Sequence, residues 1–552
     1  MEKFDVIIIG GGINGVGMAQ ESALQGFRTL LLEQDDLCSG VSAWSGRLAH
    51  GGLRYLEHFD FALVRESLLE RERLIKNAPH LAKHVPWIMP VYKHNKRGHS
   101  LVRLGMTLFD LLSFDKSAPR HRFINKKKML QKFPTLEKNG LKGGFYYWDG
   151  QIELAERLCV EVALDAQSHG AVIRTHSKVE SPILENGEIR GVTYLDTITG
   201  IEHSVYAPVV YNVAGPWIDR VFLNAKGVPT QPRLNGGTKG SHLIVEKFKG
   251  APEEVIYYET KTDGRLILVI PWFGKIMLGT TDIRWDKDPS EARCDIGELE
   301  YLLKEVNALI PEANLSYEDV LYTYSGVRPL PYQPEKDESQ VTRTHILYDH
   351  QAHGISGLVT IVGGKLTTFR QLAEDAVKDL SKRLNKREFK SKTQNRLLPG
   401  SHFKNFESIE TELTSLGAPT IVASRLARIY GSRAFQIWNI AELDDIYAQV
   451  LDSKTGLTRA EIEFVIEEEF PKTLTDIMAR RLILAFESGH GLSVVHEIAA
   501  IAAKKFNWDS QEIEDQIYGY RQWLDHLALP DVNGPRSSHF GAKQAKQESA
   551  TR

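Results

Sequence analysis

The chain has few cysteines, no long apolar run and no dominant charge, and each shortage excludes something. Of 552 residues only three are cysteines, Cys38, Cys159 and Cys294, and none sits in a C-x-x-C pair. A disulfide framework, a zinc site and an iron-sulfur cluster are not signalled, no metal is expected, and a reducing compartment fits. No window holds about twenty uninterrupted apolar residues, so no bilayer-spanning helix is expected. The opening "MEKFDVIIIGGG" has acidic residues where a secretion signal needs positive charge, and its apolar run is too short. Lysine plus arginine (68) nearly balance aspartate plus glutamate (71), so nothing global points to nucleic acid. The length calls for at least two domains and allows a large core.

The strongest signal is "DVIIIGGGINGVGMAQESALQGFRTLLLEQ", Asp5 to Gln34. A β-branched run meets Gly10, Gly12 and Gly15, a helical pattern runs to Gly26, and a second apolar run ends at Glu33. This is strand, tight turn, helix, strand, with an acid at the second strand's end. The glycines let backbone amides and a helix N-terminus approach a pyrophosphate, and Glu33 can accept bonds from ribose hydroxyls. NAD and FAD both satisfy this pattern. Two later segments favour FAD. In "VVYNVAGPW" a strand enters a turn at Ala214 and Gly215, a second approach to a bulky dinucleotide. In "GLVTIVGGKLTTFRQLAEDAVKDL" a strand, Gly363-Gly364 and a helix from about Thr367 follow one another. That helix would aim its first amides at the electron-rich edge of a reduced flavin.

The stretch "LAHGGLRYLEH", Leu48 to His58, keeps neither helical nor strand periodicity, and Gly51-Gly52 would weaken either element. It sets His50, Arg54 and Tyr55 around a backbone free to approach something closely. Upstream, "LCSGVSAWSGR" is rich in small residues and hydroxyls, with Ser42 and Ser45 suited to phosphates and a ribityl chain. Arginine is the residue of choice for a phosphate dianion, because its planar fork gives two-pronged bonds. The chain offers Arg328 in "SGVRPL", Arg343 in "VTRTH" and Lys365 after the second glycine pair.

Taken in order, "GGGINGVG", "HGGLRYLEH", "GGTKGSHLIV", "LGTTD", "YSGVRPL", "VTRTHIL" and "GGKLTTFRQLAEDA" resemble the FAD-linked respiratory glycerol-3-phosphate dehydrogenases. The likeness covers most of residues 1 to about 390 and continues more weakly through "EEEFPKTLTDIMARRLILAF". It implies an α/β fold of the D-amino-acid-oxidase kind, with a Rossmann-like FAD-binding domain interleaved with a β-rich substrate domain. A helical C-terminal domain follows. FAD-binding pieces are expected near 1–80, 150–220 and 355–390, and substrate-binding pieces near 81–149 and 221–354. Residues 396–529 would form the helical domain, and 530–552 a disordered tail. The implied reaction oxidises sn-glycerol 3-phosphate to dihydroxyacetone phosphate, with hydride passing to FAD and electrons then passing to membrane quinone. The resemblance puts His50 and Arg54 at the flavin's reactive face and gives His50 and Arg328 catalytic roles. Arg54, Arg328, Arg343 and Lys365 form the anion site, with Tyr55, His242 and Thr281 as secondary candidates. Around FAD it sets Gly10, Gly12, Gly15, Glu33, Ser42, Ser45, Gly51, Gly52, Ala214, Gly215, Gly364, Lys365, Leu366 and Thr367. A homodimer is compatible with this reading.

The chain departs from the family pattern in places. Arg47 stands where many relatives have lysine, Trp44 enters the phosphate-side loop, and "ELAERL" puts Leu154 and Glu156 where an Asp-Ala-Arg sequence is common. A glycerol-3-phosphate oxidase shares nearly the whole motif set, but usually carries a long insert between the two arginines. Here only "PLPYQPEKDESQVT" separates them. Finally, "LVRLGMTLFDLLSF" from Leu101 reads as a helix with Leu104, Leu108, Leu111 and Leu112 on apolar positions. Basic residues flank it: Lys93, Lys96, Arg97, Arg120, Arg122 and Lys126 to Lys128. The reading is peripheral attachment to an anionic lipid surface, on the cytoplasmic face of the cell membrane.

Overall fold

A computed structural model describes residues 2–531, apart from 59, 224, 337–340 and 387 and the side chains of Arg54 and His58. The tail expected at 530–552 lies outside the described residues from 532 onward. The first sheet has six strands: β1 (Val6–Ile9), β2 (Thr29–Leu32), β3 (Val172–Arg174), β4 (Val210–Asn212), β5 (Ile346–Asp349) and β6 (Leu358–Val362). Their spatial order is β5-β6-β4-β1-β2-β3, parallel except for the antiparallel edge strand β5. β1 and β2 are buried at every position, as parallel strands covered on both faces must be. Helix α1 (Ile13–Leu24) follows the first glycines and buries Val16, Ala19 and Ala23. Gly17 makes room there for the Phe369 ring, since a Cβ would come within 2.7 Å of it.

The second sheet is larger and mostly antiparallel. Its long central strands Ala82–Tyr92 and Leu141–Ile152 pair over most of their length, and Thr238–Val245 is flanked by Lys275–Gly279 and Val320–Arg328. Two segments sit differently from the sequence expectation. β5 falls within the expected substrate piece 221–354, yet it pairs with β6 in the first sheet. Leu48–Ala49 falls within the expected cofactor piece 1–80, yet it pairs with Gly150 and Gln151 in the second sheet. The "HGGLRY" stretch therefore begins where the chain crosses between the sheets. It is not wholly irregular either, because Leu53–His58 closes into a 3-10 turn that leads to helix α2 (Phe61–Asn77), capped by Asp60. From Val172 the chain forms β3 and then an antiparallel sheet of Ser177–Glu185, Glu188–Asp196 and Glu202–Tyr206.

Helix α3 (His99–Leu112) buries Val102, Met106 and Phe109 but leaves Leu101 58%, Leu111 67% and neighbouring Phe114 74% exposed. Helix α4 (Phe369–Arg383) packs its apolar face onto the first sheet. Beyond residue 400 the chain is mainly helical, ending in α5 (Ser510–Trp523). This part meets the first sheet through buried ion pairs. Asp36 accepts from Arg481 at 2.6 and 2.8 Å and from Arg480 at 2.5 Å, and Glu469 accepts from Arg157 and Arg433.

Candidate active site

The glycine turn after β1 is tight because it must be. Gly10 has φ +115°, and a Cβ there would lie 2.8 Å from the Val213 carbonyl. A Cβ on Gly15 would strike the Gly10 carbonyl, and one on Gly11 would press on Glu33. The Glu33 carboxylate accepts from Gly11 N at 2.6 Å and Asp35 N at 2.9 Å. Burial, with Asp35 and Asp36 adding to it, raises this carboxyl to about 7. Ser42 Oγ accepts from Ile13 N at 3.1 Å, so it caps the first turn of α1. Ser45 belongs to the same turn, donating to the Ser42 carbonyl and accepting from Arg47 N. Between these groups runs a groove of about 870 Å³, walled also by Ala214, Gly215 and Trp217.

A second cavity of about 1030 Å³ adjoins it, with Ile13, Asn14, Ser42 and Trp44 common to both. It gathers His50, Gly52, Tyr55, His242, Thr281, Arg328, Arg343, Gly364, Lys365, Leu366 and Thr367. Arg328 donates to Asp282 at 3.0 Å and Thr280 Oγ1 at 3.1 Å, and Arg343 reaches the other Asp282 oxygen at 3.8 Å. Gly240 is required beside it, because a Cβ would collide with the Arg328 guanidinium. Lys365 donates to Ser67 Oγ at 2.7 Å and sits 4.8 Å above the Tyr55 ring. Burial lowers its ammonium to about 8 against the opposing pull of Glu66 and Asp60. His242 is buried. Desolvation, then the charges of Arg328 and Arg47, take its imidazole down to about 3, so it is neutral near pH 7. The His50 and Tyr55 rings lie 6.2 Å apart.

Some expected members do other work. Thr281 gives its one proton to Glu298 at 2.6 Å and accepts from Ser241 N at 2.9 Å, which ties down the strand end. Gly51 faces the core, where a Cβ would run into Leu68 and Phe109, and only Gly52 lines the cavity. Arg97 is paired with Glu57 and Glu259 at the cavity rim. The side chain of Arg54 lies outside the described residues. Other members were missed. Asp282, in "LGTTD", holds the two arginines, and its place in that motif was the available signal. Asp149 accepts from Gly51 N at 3.0 Å and from Arg71 at 2.8 Å, anchoring the crossover. The buried Asn14 Oδ1 has no hydrogen-bond partner and stands in the wall common to both cavities. The departures also find their meaning. Arg47 and Glu156 pair with each other through two 2.6 Å bonds, both fully buried.

Residues 5–370 match a family model described as FAD dependent oxidoreductase, and 391–513 match one described as the C-terminal domain of alpha-glycerophosphate oxidase. The chain is 40% identical to the glycerol-3-phosphate dehydrogenase of Synechocystis sp. over 542 residues, 96% of this chain and 97% of that protein. The chain belongs to the FAD-dependent glycerol-3-phosphate dehydrogenase family. An aerobic member from Staphylococcus haemolyticus is 35% identical over 87% of this chain and 86% of its own length. The crystal structure of a family dehydrogenase from Bacillus halodurans, complexed with FAD, superposes with a TM-score of 0.78 at 28% identity, covering 97% of each chain. An L-alpha-glycerophosphate oxidase from Mycoplasma pneumoniae shares the fold, with a TM-score of 0.52 at 17% identity over 72% of this chain and all of its own. FAD is the cofactor of this dehydrogenase family member, and the groove fits it. The turn leaves no space for side chains, Glu33 ends β2 where a ribose diol would lie, and Asn14 Oδ1 awaits a donor at the junction.

Proposed function

We propose that the chain oxidises sn-glycerol 3-phosphate to dihydroxyacetone phosphate and passes the electrons to quinone in a membrane. The observation that carries this is the convergence of Arg328 and Arg343 on Asp282, beside Lys365 and His50, in the cavity that joins the FAD groove. Such a cluster suits a small dianion, which competes with Asp282 for both guanidinium groups. FAD supplies the two-electron acceptor when bound. Arg328, Arg343 and Lys365 grip the phosphate and so fix the C2 carbon relative to the groove. His50 accepts the C2 hydroxyl proton, a task matched to an imidazole near neutral pH. His242, held neutral by burial, leaves the cavity without a competing cation at that wall.

Quinone as acceptor is supported by the short segment between the two arginines and by α3. No described helix is long and apolar enough to cross a membrane, but α3 turns Leu101, Leu104 and Leu111 outward, with Phe114 beside them. Exposed Lys93, Lys96, Arg120, Arg122 and Lys126 to Lys128 flank it in sequence. Arg97 is spoken for by Glu57 and Glu259 and drops out of the lipid-facing set. An exposed apolar stripe rimmed by cations seats in the headgroup boundary of anionic lipid, which would put the chain on the cytoplasmic face of the cell membrane.

The test is anaerobic bleaching of the yellow chromophore by sn-glycerol 3-phosphate, followed by reoxidation with a soluble quinone or with oxygen. Bleaching and rapid quinone reoxidation are expected. No bleaching removes the substrate assignment, and fast peroxide release without quinone activity makes the protein an oxidase.

A further inference from the structure

We propose that the C-terminal domain is itself a cofactor-binding element, closing the groove over the adenosine-diphosphate half of FAD. The proposal requires FAD but is independent of the substrate and the final electron acceptor. Among the parts of the chain that wall the groove are two distant in sequence. One is the expected Rossmann wall of Gly10, Gly12 and Glu33. The other is built by Thr475, Arg480, Gln516, Gly519, Trp523 and His526. The last four of these lie beyond residue 513, where the family match ends.

Two attachments fix this second wall over the groove, and a third bond holds the wall together. At the ribose end, Asp36, three residues past Glu33, is held by Arg480 and Arg481, and His176 pairs with Asp476 at 2.8 Å while its backbone N donates to the Asp35 carbonyl. In the middle, Leu474 N donates to Gln516 Oε1 at 2.9 Å, tying α5 to that segment. At the phosphate end, Trp44 stacks on His526 with ring planes 3° apart and packs against Trp523 at 5.8 Å. Trp44, the intruder in the phosphate-side loop, is thus the knob on which the domain docks. α5 gives Gln516, Gly519 and Trp523 to the groove, and Trp523 meets the loop that bears Ser42.

Gly519 belongs to that wall. A glycine inside a helix costs stability relative to alanine. This one lines the groove, and a Cβ on it would meet nothing within 4 Å. A bare backbone at that point leaves room for a ligand to approach the helix closely. Anything that binds only the docked arrangement stabilises it by linkage, so FAD and the docked domain hold each other in place.

The test compares amide hydrogen exchange of the full chain with and without FAD, and measures FAD release from the Gly519→Phe protein by the rise in flavin fluorescence. FAD is expected to slow exchange across 510–523 by about tenfold, and Gly519→Phe to speed release by about tenfold. Exchange across α5 that is the same with and without FAD overturns the proposal, and so does release from a folded Gly519→Phe protein within about twofold of wild type. If that variant does not fold, the wild-type exchange comparison decides alone.

Discussion

At the scale of single residues, the site makes separable demands. His50→Asn is expected to retain FAD but to slow single-turnover bleaching by on the order of a hundredfold, the usual worth of a positioned base. Unchanged bleaching would move the proton acceptor elsewhere in the cavity. Replacing Arg328 or Arg343 by alanine should cost roughly 2 to 5 kcal/mol in kcat/KM for glycerol 3-phosphate, while the trace turnover of glycerol falls much less. Equal losses for both substrates would mean that the arginines serve the fold. The Arg47–Glu156 pair makes a different demand, because both partners are wholly buried. Glu156→Gln strands a buried guanidinium and should lower unfolding stability by roughly 3 to 5 kcal/mol, whereas replacing both partners with apolar residues of similar size should cost far less. A double variant no more stable than Glu156→Gln would refute that account. Sequence reading marked both residues as departures but could not join them, since 109 positions separate them and their coupling exists only across the folded core.

At the scale of elements, periodicity was a good guide wherever one face met one environment. α1, β1, β2 and β6 follow directly from apolar runs punctuated by glycine. α3 was legible too, but the direction of its faces was not. The apolar positions, read as one lipid-facing stripe, are divided between Val102, Met106 and Phe109 inside and Leu101, Leu104 and Leu111 outside. That division makes the lipid reading testable without harming the core. Replacing Leu101, Leu104 and Leu111 together by serine should abolish co-sedimentation with anionic vesicles and leave the thermal midpoint within a few degrees of wild type, since exposed sites contribute little to folding. Persistent binding would assign attachment to another surface. The 3-10 turn Leu53–His58 closes locally, Tyr55 N donating to the Gly52 carbonyl, but the anchor just before it was not legible. Asp149, on a strand nearly a hundred residues away, accepts from the Gly51 amide.

At the scale of the whole molecule, buried charge joins the C-terminal domain to the segments around the first sheet, while a shared apolar core joins it to the second. Burial alone would raise the pKa of Glu469, but Arg157, Arg433 and Arg481 outweigh it and hold it at about 2, and Asp476 is lowered in the same way by His176, Arg480 and Arg481. A carboxylate depressed on folding contributes stability that is present above its ordinary pKa, here 4.5 for Glu469, and is lost as pH falls through the folded value. Unfolding midpoints should therefore drop between about pH 4.5 and 2, with flavin fluorescence appearing in the same window. A midpoint that stays flat through that window would mean that apolar contacts hold the domain. None of these pairings was visible beforehand, because sequence periodicity carries only local information. That distance also acts in time. Asp36 leaves the ribosome 444 residues ahead of Arg480, which at 5 to 20 residues per second is roughly twenty to ninety seconds. Through that interval the nascent loop bearing Glu33 waits without its clasp, so the half of the enzyme made first is finished only by a segment translated long after it.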